Sequence, residues 1–153
     1  MSFAEDIAKF AAKCNGNADL VVRKVVLDIG RSLVEKTPVG NPDLWQNPDN
    51  KPEGYVGGHA RANWSHSVGA PVVQEFDAVD EKDWEGHNVS RARIIASLGE
   101  TRGVAGQVHY IQNSVPYIQA LEDGHSTQAP AGMVAITQTE FQDYIQKALG
   151  ELK

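Results

Sequence analysis

Between Val115 and Met133 the chain has to turn twice in under twenty residues, and this junction constrains the fold more than any other stretch. Val115-Pro116-Tyr117-Ile118-Gln119-Ala120-Leu121-Glu122-Asp123-Gly124 reads as a helical turn opened by a proline and closed by a glycine. Pro116 suits the first position of a helix, where its missing N–H would have no intrahelical partner, and Gly124 suits the left-handed stop. The polar tip His125-Ser126-Thr127-Gln128 follows, and Ala129-Pro130-Ala131-Gly132-Met133 bends the chain into its last apolar-periodic segment. Everything before this junction must offer Tyr117, Ile118 and Leu121 a surface to dock on.

Helices supply that surface. Ser2 and Glu5 stand at capping-box spacing, which predicts a first helix over residues 3–14 with Phe3, Ile7, Phe10, Ala11 and Cys14 on one face. Asn15-Gly16-Asn17 reads as its stop. A second helix is expected over 18–36, with Val21, Val22, Val25, Val26, Ile29 and Leu33 as one apolar stripe. Its β-branched run lowers helix propensity, so packing must hold it. Thr37-Pro38 breaks the pattern and opens a Pro/Gly-rich loop over 39–58, in which Trp45 and Tyr55 are the large apolar side chains. They read either as anchors folding the loop back on its own domain or as anchors for a partner.

Beyond the loop, residues 59–64 suggest a helical turn. Trp64-Ser65-His66-Ser67-Val68 alternates like a strand, 71–79 is a further extended candidate, and 103–113 is another strand. Asn88 can cap a helix over 89–98 that Gly99 ends. A closing helix is expected over 131–149 with Met133, Val134, Ile136, Phe141, Tyr144, Ile145, Ala148 and Leu149 inward. The fold class is therefore α+β: a small, mostly antiparallel sheet packed against long N-terminal and C-terminal helices, in a single domain over 1–153.

With 153 residues such a chain can bury roughly 68–70 % of its unfolded surface, and its folding needs no cofactor. The single cysteine, Cys14, excludes an intramolecular disulfide and a multi-thiolate metal site within one chain, and suits a reducing cytoplasm. On the apolar side of its helix it is expected as a small buried hydrophobe. The first residues hold neither a basic nor an apolar leader region, and no apolar run approaches the ~20 residues of a membrane span, so a soluble protein without an export signal is expected. Fourteen Lys plus Arg against twenty Asp plus Glu give a net charge of −6, which argues against phosphate binding as the main activity.

No reaction is written in the residues. His59, His66, His87, His109 and His125 lack the H-x-x-x-H or H-E-x-x-H spacing that sets two imidazoles on one helical face. No G-x-S-x-G nucleophile turn occurs, and Gly54, Gly57 and Gly58 lack the Lys-Ser/Thr of a phosphate loop. The acidic group Asp77, Asp80, Glu81, Asp83 and Glu85 lacks the alternation of a calcium loop and reads as solvated. Glu122 and Asp123 beside His125 could serve a small hydrolase or a metal-dependent site, but acid-rich turns of this kind are far more often helix C-termini. No catalytic residue, metal ligand or cofactor is assigned.

Three segments in order carry a resemblance. Thr37-Pro38-Val39-Gly40, leading to Gly57-Gly58-His59-Ala60-Arg61-Ala62-Asn63-Trp64, is similar to "T-P-V-x-T-G-x-L-R-x-S-W". Asn113-Ser114-Val115-Pro116-Tyr117 through Glu122 and Gly124 is similar to "N-x-x-P-Y-A-x-x-x-E-x-G", and Gln128-Ala129-Pro130-Ala131-Gly132-Met133 to "x-A-P-x-G-M/F-L". These elements belong to the bacteriophage neck or tail-completion (head–tail joining) proteins of long-tailed double-stranded DNA phages, which the chain resembles between Val25 and Tyr144. It departs from them in its longer 41–55 loop and in Ala60, where a leucine is usual. The resemblance implies a structural virion protein, not an enzyme, assembled in the host cytoplasm. It would form a homo-oligomeric ring, hexamer or dodecamer, between head-closure (adaptor) proteins and a tail terminator or tail tube. DNA would pass through its channel without specific binding, and no membrane would be involved. A tail-terminator role is the alternative within that class; a small His/acid-dependent hydrolase or a peptide-binding module is the alternative outside it. Expected contacts with partners or neighbouring subunits are Trp45, Tyr55, His59, Arg61, His125, Ser126, Thr127 and Gln128.

Overall fold

The structure is a computed structural model that describes residues 2–79, 83–86 and 88–152; the expectations for Asp80, Glu81 and His87 lie outside the described residues. One long helix dominates. α1 spans Phe3–Lys36, 34 residues, and replaces the two helices expected from the sequence. Asn15-Gly16-Asn17 does not stop it. Gly in a helix interior costs only about 1 kcal/mol relative to Ala, whereas a break would leave two further sets of orphaned end groups and require a second nucleation. The Ser2/Glu5 box caps it in both directions, with Ser2 N–H on Glu5 Oε2 at 2.7 Å and Glu5 N–H on Ser2 Oγ at 3.3 Å.

Only the C-terminal half of α1 is built into the body, through buried Val25, Val26, Asp28, Gly30, Ser32, Leu33 and Val34. Residues 2–16 are exposed. Cys14, expected in the core, is accordingly exposed, because among the described residues no element runs beside the first four turns.

The remaining elements wrap that half. After 3₁₀ turns at Pro42–Leu44, Pro48–Asn50 and Arg61–Asn63 come β1 (Trp64–Val68), α2 (Val89–Glu100), β2 (His109–Asn113), α3 (Ile118–Glu122), α4 (Val134–Thr139) and α5 (Phe141–Gly150). β1 and β2 pair antiparallel, Trp64 opposite Asn113 and Val68 opposite His109. This is an α+β fold whose sheet has two strands. The core joins Val26, Leu33, Val34, Trp64, Trp84, Ile94, Leu98, Val104, Ala129 and Met133, with Ile118 and Leu121 packed against it. No helix among the described residues is long and apolar enough to cross a membrane.

Four expectations need correcting. The 71–79 segment pairs with no strand; its backbone is held by Asn63, whose Oδ1 accepts from Phe76 N–H at 2.6 Å while its Nδ2 donates to Phe76 O at 3.1 Å. The second strand is only His109–Asn113, since residues 105–107 form a turn. Asn88 does cap α2, its Oδ1 accepting from Arg91 N–H at 2.9 Å, but Gly99 lies within the helix. The Arg23 guanidinium explains the later stop: it donates to Leu98 O and, at 2.6 Å, to Thr101 O, satisfying carbonyls at the negative end of α2. Finally, the closing helix is two helices that meet at Glu140. The Glu140 carboxylate accepts from Lys36 Nζ at 2.7 Å, from Ser32 Oγ at 3.2 Å and from the Tyr144 hydroxyl. Met133 precedes α4 in the core, while Val134, Phe141 and Leu149 are exposed.

Candidate functional site

The site is assembled at the point where α1 ends. Thr37 is buried there, and its hydroxyl donates to Leu33 O at 2.6 Å and accepts from Trp64 Nε1 at 2.8 Å. Its carbonyl accepts from Arg61 Nη2 at 3.0 Å. Asn113 Nδ2 donates to Ala60 O at 2.7 Å. The Gln128 amide closes the set, accepting from Val39 N–H at 3.3 Å and donating to Val39 O at 2.8 Å, as a paired strand residue would. Four segments far apart in sequence are thereby tied together: 37–40, 57–64, the start of the Asn113 segment, and 125–128.

The junction itself is fixed by a carboxylate. Glu122 Oε2 accepts from Met133 and Val134 N–H at 2.8 and 2.9 Å, and Oε1 from Ala135 N–H at 2.9 Å, so it caps the start of α4. Burial works against its ionisation, but the amides of Val134, Ala135 and Met133 outweigh burial and hold its carboxyl below the usual range. Gly132 sits at φ +79 with any Cβ only 2.6 Å from Glu122 O, and Gly124 at φ +84 with any Cβ 2.6 Å from Pro130 O. Both positions accept only glycine without displacement of the backbone. His125 lies over Ala120 O, with its N–H at 3.1 Å and Nδ1 at 2.9 Å. Asp123 accepts from Gln119 Nε2 at 3.0 Å. The acid and histidine of this turn are therefore engaged separately, and no Glu122–His125 pair forms.

Between the junction and the Pro/Gly-rich loop opens a cleft of about 460 Å³. Trp45, Tyr55, His59, His125, Ser126, Thr127 and Gln128 line it, together with Tyr117, Leu44 and Gln46. Arg61 does not: its guanidinium faces Thr37 beneath the floor. Trp45 and Tyr55 meet edge to face, ring centroids 5.1 Å apart at 70°. The rings fold the loop upon itself and also form a wall of the cleft. Tyr117, expected to dock inward, is instead 44 % exposed at the edge of the cleft. Its signal in the sequence was ambiguous, since an aromatic at a helix start serves either role.

Among the described residues, no carboxylate, lysine or arginine belongs to the lining. The cleft offers amides, hydroxyls, aromatic rings and two imidazoles, which suits hydrogen bonding to an extended polypeptide with an apolar side chain against the rings. His59 stands at the rim with Nε2 on Glu75 Oε1 at 2.8 Å and Nδ1 on Ala78 O at 2.7 Å. Glu75 foremost raises its pKa above 6.5 and favours the imidazolium.

A second histidine group lies away from the cleft, on the strands. His109 Nε2 meets Val104 O at 2.7 Å, His109 Nδ1 meets His66 Nε2 at 2.9 Å, and His66 Nδ1 meets Ser97 Oγ at 2.9 Å. A carbonyl can only accept, so His109 carries a proton on Nε2, and each ring nitrogen of the pair has a hydrogen-bond partner. Burial, with a smaller push from His109, lowers His66 to about 4. Among the described residues no group of three or more His, Cys, Asp or Glu is arranged to hold a metal ion. Of the acidic patch, Asp77 and Asp83 are exposed and Glu85 meets Arg31 Nη1 at 3.2 Å.

No protein-family model, curated protein or solved structure matches the chain.

Proposed function

We propose that the chain is a structural subunit of a bacteriophage head–tail joint, a ring component between head-closure proteins and the tail terminator or tail tube. One observation carries the reading. The segments that resemble the neck proteins lie apart in sequence, yet Thr37, Val39, Ala60, Trp64, Asn113 and Gln128 bond them to one another around one cleft. The cleft, with its aromatic wall, its amides and hydroxyls, suits a loop of a neighbouring subunit or adjoining ring. The net charge of −6 lets DNA pass without being held. The role as tail terminator uses the same surface.

A peptide-binding module is the second reading, favoured by the Trp45–Tyr55 pair. Deleting residues 41–52 in the phage that encodes the chain separates the two. The ring reading predicts filled heads without attached tails; infectious, tail-bearing particles at normal yield would contradict it.

A further inference from the structure

The first turns of α1 carry an apolar stripe that nothing among the described residues covers. Phe3, Ile7 and Phe10 are 82, 52 and 67 % exposed, and exposed Cys14 continues the row. Their steps of four, three and four residues make the seam of a two-helix pairing. The body is engaged further along, where Asp19 accepts from Ala105 N–H at 2.9 Å and Arg23 reaches the end of α2. The exposed extension is roughly 21 Å long at ~1.5 Å per residue, and the weak helix formers Asn15, Gly16 and Asn17 join it to the anchored part.

We infer that this stripe is covered by the same stripe of a second copy, the two helices running antiparallel with Phe3 against the partner's Cys14 and Ile7 against the partner's Phe10. The flanks of the seam decide the direction. On one side lie Asp6 and Lys13, on the other Ala4 and Ala11. An antiparallel pair sets like flanks across from each other, so Asp6 meets the partner's Lys13 twice by symmetry, and Ala4 meets the partner's Ala11, where small side chains let the helices approach. Sliding the register by one heptad sets Lys13 against Lys13. A parallel pair sets each of these charges opposite an alanine and stacks Cys14 on Cys14. Only the first arrangement pairs opposite charges. It also places the two bodies at opposite ends, away from the overlap, and leaves the cleft open. The contact spans about three turns, so it belongs with small, concentration-dependent interfaces. This inference does not rest on the ring reading.

Sedimentation equilibrium of the purified full chain tests it, with a thermal melt by circular dichroism to confirm that each variant folds. The chain should show a reversible monomer–dimer equilibrium. Phe10→Ser should weaken it by about tenfold or more, a change of about 1.4 kcal/mol. Asp6→Lys and Lys13→Asp should each weaken it, and the double variant should restore it. Under mild oxidation Phe3→Cys should give a covalent dimer while the unaltered chain does not. A monomer at every concentration, a dimer indifferent to Phe10→Ser, a charge swap without rescue, or ready Cys14–Cys14 cross-linking of the unaltered chain would each overturn it.

Discussion

Glu122 shows how a residue that looks reactive becomes architectural. Its three amide bonds across the junction make it the cap of a helix eleven residues further on. Glu122→Ala should lower stability by about 1–2 kcal/mol, and Glu122→Gln by less because one acceptor oxygen is retained; urea denaturation measures both. Gly132→Ala should cost more than about 1 kcal/mol, since the left-handed backbone and the carbonyl of Glu122 both oppose a Cβ. The histidines predict a pH profile of two opposing slopes. His66 titrates at about 4 when folded against 6.5 ordinarily, so as pH falls through that interval the unfolded chain takes up a proton that the native one refuses, and stability drops. His59, raised by Glu75, stabilises fully below 6.5, and its contribution is lost as pH rises through its folded value. Denaturant midpoints across pH should therefore flatten on the acid side in His66→Gln and on the alkaline side in His59→Gln. Local chemistry was legible at this scale: the Ser2/Glu5 box, the Asn88 cap and the Gly124 turn are all written within four residues. Trp84 escaped notice because the acidic residues around it hid a core side chain that is 5 % exposed, and Glu122 because its donors lie outside any local pattern.

At the scale of elements, the apolar period of α1 was legible but its partner was not. Periodicity reports that a face is apolar, not what lies against it, so Phe3 and Leu33 gave one signal and ended at 82 % and 4 % exposure. In the dilute, monomeric chain, deleting residues 2–16 should leave the unfolding free energy from urea denaturation within about 0.5 kcal/mol of the full chain's. A larger loss would mean that the extension packs on its own body. Backbone hydrogen exchange over 3–16 should be fast in the dilute chain and slow at high concentration. The break between α4 and α5 was hidden for a different reason: Ser32, Lys36 and Tyr144 converge on Glu140 from two helices, and that convergence exists only once they pack. β1, whose large and polar residues alternate within five positions, was read at its observed bounds.

For the whole molecule, the sequence implied the class, α+β, but not that Trp45, Tyr55, His59 and residues 125–128 border one cleft, because nothing local in their turns reports which of them meet. It could not reveal Thr37 as the meeting point of Leu33, Arg61 and Trp64, since a residue bonded to partners 24 and 27 positions away leaves no periodic trace. That closure converts a set of loops into one concave surface with an aromatic wall, and the proposed role depends on its being filled by another chain. The most direct measurement of the proposed role is electron cryo-microscopy of the particles formed when this chain is produced together with the genes that flank its own. A ring of these subunits at the head–tail joint, with a neighbouring polypeptide seated between Trp45 and Gln128, is the predicted result; particles that lack the chain, or a ring whose cleft faces empty solvent, would contradict it.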